Sequence, residues 1–172
     1  MVKVHWLTVG VMALGVVAAC SPGEGATASV QAPAAAAAAE NARHPVSGLE
    51  VIDLVVERGA KKLPFKVELA ASPAAQSKGL MFRTELGDNE GMLFPSAAPE
   101  PRSFWMKNVP IPLDIIFIGT DGRITNIEDA VPYSLDSVPS AGFAAAVLEL
   151  RAGRAKELGI VPGDRVVYTL PE

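Results

Sequence analysis

Residues 49–57 read Leu-Glu-Val-Ile-Asp-Leu-Val-Val-Glu, and at 65–69 Phe65, Val67 and Leu69 alternate with Lys66 and Glu68. β-Branched residues and a period of two predict two paired strands, with the basic stretch 58–62 as the turn between them. Ser72 followed by Pro73 is an N-cap and first-turn pattern, so a short helix is predicted over 73–78, ended by Gly79. Short apolar runs at 91–94, 102–108, 113–118, 123–128 and 147–151, each bounded by Gly, Pro or Asp, predict further strands. Residues 96–102 would close a hairpin between the first two of these runs, and Gly119 and Gly122 flank a turn between the next two. A second helix is predicted over 152–158 with Gly159 as its stop, and the Pro162-Gly163-Asp164 turn leads into a last strand at 165–170. Eight strands with two short helices make a mainly β single domain over 49–172, arranged as a small sandwich or a barrel-like closed sheet.

The segment ahead of this domain has a different character. Lys3 precedes an apolar run at 7–19 that is too short for a permanent membrane helix, so residues 1–19 read as a signal peptide. Val17-Ala18-Ala19-Cys20 resembles the bacterial lipoprotein box, in which cleavage precedes a lipid-bearing cysteine, and Cys20 is the only cysteine in the chain. That resemblance implies export and a lipid anchor on Cys20 in the periplasm. Ser21 favours the outer membrane by similarity to enterobacterial sorting rules. Residues 20–48, rich in Ala, Pro and Gly and including the alanine run 34–39, read as a flexible tether with little to bury.

With 172 residues the chain supports one well-buried core. Its 15 basic and 19 acidic residues are scattered, so the basic stripe needed for nucleic-acid binding is missing and no such partner is expected. His44 falls in the tether, and the folded part beyond it holds neither histidine nor cysteine. That excludes His-based triads, cysteine nucleophiles and His or Cys zinc sites there, and no cofactor is expected. Any chemistry must come from carboxylates, Lys, Tyr, Ser or a borrowed metal.

The richest motifs are Gly79-Leu80-Met81-Phe82-Arg83, Gly91-Met92-Leu93-Phe94, Phe104-Trp105-Met106-Lys107-Asn108, Ile111-Pro112-Leu113-Asp114 and Val147-Leu148-Glu149-Leu150 with Gly153. In this order they resemble the signature of the domain of unknown function 192 family, across about residues 65–168. The resemblance implies a small β-rich domain, often exported, and no established activity.

Within the motifs, alternation puts Phe104 and Met106 on one face and Ser103, Trp105 and Lys107 on the other. Met92 and Phe94 would join the first face in a Met and Phe layer. Core packing explains such a layer, although Met81, Met92 and Met106, the three methionines of the mature chain, could alternatively hold Cu(I). Ser103 and Lys107 stand about 13 Å apart along an extended strand, too far to share a proton. Trp105 on a polar face suits either stacking on a ligand or cover by neighbouring loops. Asp114 opens an otherwise apolar strand and is read either as an ion pair or turn cap, or as part of a polar pocket with Arg83, Lys107 and Asn108. Glu149 could face solvent or that same pocket. The ligand-binding candidates are therefore Arg83, Trp105, Lys107, Asn108, Asp114 and Glu149, for a small anionic or sugar ligand.

Two functional classes follow, a non-enzymatic binding or accessory lipoprotein of the envelope and a hydrolase or lyase acting on an envelope polysaccharide through Asp114 and Glu149, assisted by Lys107 or Tyr133. A pure interaction domain is a third, which a large exposed apolar patch would mark.

Overall fold

The computed structural model describes residues 42–171. The expected signal peptide over 1–19, Cys20 and the expected tether up to residue 41 lie outside the described residues. The elements run β1 (Val51–Arg58), β2 (Lys61–Leu69), α1 (Pro73–Lys78), β3 (Glu90–Phe104), β4 (Leu113–Gly119), β5 (Ile124–Ala130), β6 (Val138–Arg151), α2 (Arg154–Leu158) and β7 (Arg165–Tyr168). All seven strands form one sheet in the order β5-β4-β6-β3-β2-β1-β7.

Local signals account for several elements directly. The Ser72 hydroxyl accepts from the Ala75 N–H, Pro73 occupies the first turn, and the Gly79 N–H closes on the Ala75 carbonyl, which confines α1 to its six residues. β4 is buried at every position because it lies between β5 and β6 with apolar clusters on both faces.

Two expectations are corrected. Residues 91–94 and 102–108 do not form a hairpin. They belong mostly to one strand, β3, which runs antiparallel to β6 from Pro95 opposite Ala146 to Glu100 opposite Ala144. Residues 96–99 therefore bulge outward, since Pro95, Pro99 and Pro101 have no N–H to give the ladder. The eight expected strands become seven, and the aromatic layer forms within one bulged strand, Phe94 meeting Phe104 edge-on with centroids 5.1 Å apart. The second correction concerns closure. An isolated bridge joins Arg123 to Arg165, and the Ile124 N–H donates to the Asp164 carbonyl at 2.9 Å, so the edge strands meet at one end. The sheet curls but does not close into a barrel.

Two cores result. The first draws on every strand and includes Leu54, Phe65, Leu93, Ile116, Leu148 and Val166. The second, built on Met92, Phe94, Leu113, Ile115, Phe117 and Val147, is covered by α1, the segment 80–86 and the loop after β3. β2 and β3 run parallel, which needs a crossover, and residues 70–89 with α1 provide it. Gly91 at the start of β3 is required by packing: a Cβ there would sit 2.6 Å from the Glu149 carbonyl oxygen.

Candidate functional site

β6 lies between β3 and β4, with Glu149 opposite Met92 on one side and Ile115 on the other. Because paired residues point to the same face, the Glu149 side chain enters the second apolar cluster. It is 5% exposed and has no hydrogen bond or ion pair among the described residues. Burial pushes its pKa from 4.5 up to about 8, so at pH 7 it is a neutral acid.

Glu149 is reached from a cavity of about 130 Å³ between α1, β3 and the loop that follows β3. Gln76 and Lys78 line it from α1, Arg102, Ser103 and Phe104 from β3, and Trp105 and Lys107 from the loop. Phe104 packs edge-on against both Phe94 and Phe117. Arg102 lies over the Phe104 ring at 5.5 Å and donates to the Ser96 hydroxyl at 3.0 Å and the Gln76 side-chain Oε1 at 3.2 Å. Trp105 is 51% exposed, with the Lys107 ammonium 5.1 Å from its ring centroid. Among the described residues neither Lys78 nor Lys107 has a carboxylate partner.

Three non-glycine residues close to this cavity adopt left-handed backbone, Phe82 (φ 63°), Asn108 (φ 59°) and Tyr133 (φ 61°). Each costs about 1 kcal/mol, so neighbouring bonds must hold them. The Phe82 N–H donates to the Asn108 carbonyl at 2.8 Å, the Tyr133 N–H to the Val109 carbonyl at 3.1 Å, and the Met106 N–H to the Ser134 carbonyl at 2.9 Å. The three loops are thereby tied together, with the Phe82 and Tyr133 side chains exposed.

The candidates read from sequence separate into four places. Trp105, Lys107 and Glu149 share the cavity. Asn108 contributes its backbone to the tied loops, and its amide lies 3.9 Å from the Met81 sulfur. Met92 and Met106 are fully buried and Met81 partly so, all three packed into the second cluster.

Asp114 lies on the opposite face of the sheet. Its partner on β6 is Leu150, one residue beyond Glu149, so the two carboxylates cannot face each other across a cleft. The Asp114 carboxylate accepts from the Gly153 N–H at 2.8 Å and the Ala155 N–H at 2.7 Å, capping α2. Asp114→Ala should destabilise the domain by about 3 kcal/mol, since it strands the buried Ala155 N–H and the half-buried Gly153 N–H. A urea midpoint unchanged from the parent would rule out this capping role.

Arg83 is also elsewhere. Its guanidinium donates to Glu68 at 2.6 Å, with the two side chains 10% and 3% exposed, and its second nitrogen lies 3.3 Å from His44 Nε2. His44 Nδ1 stands 3.6 Å from the other Glu68 oxygen, which is buried without a hydrogen bond. His44, placed in the tether by composition, thus packs onto the sheet, because the Arg43–Glu50 bridge folds its segment back over β1 and β2. Glu68 was not singled out by sequence: alternation with Phe65 and Val67 put it on a polar face, and only Arg83 and His44 cover it. Arg102 and Gln76 gave no signal either, as each reaches the cavity through a bulge or a helix far away in the chain.

The motifs at 79–83, 91–94, 104–108 and 147–150 converge around this cavity and its supporting core. Residues 54–168 match the family described as DUF192, uncharacterized ACR. The chain belongs to this family. A protein of unknown function from Novosphingobium aromaticivorans DSM 12444 is 52% identical, with a TM-score of 0.72, over 76% of this chain and 94% of that one. A protein of Sinorhizobium meliloti 1021, named as a candidate transcription regulator, is 38% identical, with a TM-score of 0.67, over 70% of this chain and 95% of that one. No curated protein matches the chain. The family is thus uncharacterised in function, and the cavity over Glu149 is the feature of this DUF192 member that most needs a chemical explanation.

Proposed function

We propose that this DUF192 member is a lipid-anchored binding domain of the cell envelope whose cavity over Glu149 takes a small anionic or hydroxylated ligand. One observation carries the reading: a buried carboxyl with no protein partner opens into a cavity rimmed by Trp105 and Lys107. Buried polar groups are nearly always hydrogen-bonded, so an unpaired one facing a cavity is a place where a ligand completes the bonding. An exposed indole beside a cation adds a surface on which a sugar ring or carboxylate can rest. The leader at 1–19 and the sequence around Cys20 support export and anchoring. Retention of the protein in the membrane fraction after Cys20→Ala would argue against a lipid anchor.

The cavity itself is tested through its own chromophore. Trp6 and Trp105 are the two tryptophans, so a fragment beginning at Glu40 carries Trp105 alone. Its emission should lie near that of solvated indole and shift or quench as lactate, glucuronate or glucose is titrated in. An emission that none of these alters would count against a ligand face at Trp105.

A further inference from the structure

The binding reading leaves open which of its two ligand chemistries the cavity prefers, and the charges around Glu149 separate them. The groups facing Glu149 can be taken element by element. From α1 comes Lys78, from β3 Arg102, and from the loop after β3 Lys107, while β4 contributes the apolar Ile115 and Phe117. Among the described residues no other carboxylate and no histidine lines the cavity. Arg102 is held by Ser96 and Gln76, whereas Lys78 and Lys107 have no carboxylate partner among the described residues. The cavity lining therefore carries two exposed lysines without a carboxylate partner and one buried carboxyl.

Resting on that reading, we propose that the ligand is a small carboxylate and that Glu149 binds it as a neutral acid, donating its own proton to a carboxylate oxygen of the ligand. An ionised Glu149 would repel the anion and would sit unpaired in an apolar cluster. A protonated one offers an O–H···O⁻ bond, among the stronger hydrogen bonds available to a side chain. No bond other than the hydrogen bond forms, and the proton stays between the two carboxyls. Burial, which holds Glu149 protonated up to about pH 8, agrees with this role. A cavity of about 130 Å³ has room for a short carboxylate or for the carboxylate end of a longer molecule.

The test is calorimetric titration of the full chain, in detergent, with lactate as a free short acid, alanyl-alanine as a longer molecule with a terminal carboxylate, and lactamide as the neutral counterpart of lactate. Lactate or alanyl-alanine, whichever source fits, should bind with constant affinity from pH 6 to 7. Above about pH 8 its affinity should fall toward tenfold per pH unit, with one proton taken up per ligand as read from buffers of different ionisation enthalpy. Lactamide should bind at least tenfold more weakly than lactate, and in Glu149→Gln the remaining affinity should not change between pH 7 and 9.5. Carboxylate binding without proton uptake, or lactamide binding as well as lactate, overturns the neutral-acid role and leaves the cavity reading standing. Failure of all three probes, together with an unresponsive Trp105, overturns both.

Discussion

Glu149→Gln should stabilise the free domain by about 4 kcal/mol at pH 8 and change it little at pH 4, taking a folded pKa of about 8 against 4.5 unfolded. The folded protein keeps most of the Glu149 proton until close to pH 8, where it is half lost, whereas the unfolded chain loses it from about pH 4.5. Stability from this group is therefore fully present below pH 4.5 and declines as pH rises toward 8, because the unfolded state gains the freedom to ionise. Glutamine has nearly the same shape and no such freedom. Glu157, held below the usual carboxylate range by hydrogen bonds from Arg151 and Arg154, titrates in the opposite sense, but it does so in both proteins and cancels in the comparison. Urea unfolding of both proteins at pH 4, 6 and 8 measures the difference directly. Parallel profiles would mean that Glu149 is ionised in the folded state and that water or a structural partner compensates it.

Arg83→Met should cost about 3–5 kcal/mol, the penalty for leaving a buried carboxylate without its cation. Glu68 would keep only His44, at 3.6 Å, and its second oxygen already lacks a hydrogen bond. The companion variant Arg83→Met with Glu68→Met should recover most of that loss, since an apolar pair of similar volume bears no desolvation cost. Equal destabilisation of the single and double variants would show that Arg83 acts through packing alone. The ladder makes this pair more than a surface contact: Glu68 is paired with Val51 on β1 and Met92 on β3, so disturbing it also loosens the row that leads to Glu149.

How much of this was legible beforehand depends on how far apart in the chain the deciding groups lie. The limits of α1 could be read because Ser72, Pro73 and Gly79 act on backbone within one turn of themselves. The burial of β4 could be read from its continuous apolar run, and the division between Met106 inside and Trp105 outside from alternation alone. The bulge of β3 could not, because prolines mark where a strand is interrupted without saying whether the chain turns back or continues.

The candidate site shows the same division. Sequence by itself determined the element types, the aromatic and basic character of residues 102–108, and the family to which the chain belongs. Tertiary structure alone decided that Asp114 and Glu149 point to opposite faces, since that depends on the register of β4 against β6 and a shift of one residue would reverse it. It also decided that Arg83 serves Glu68 and His44 and does not enter the cavity, and that of the buried carboxyls among the described residues Glu149 is left without a partner. The physical reason is the range of the forces involved. Backbone preference and hydrophobic period are properties of neighbours in sequence, whereas desolvation and ion pairing depend on groups that only the folded chain brings together.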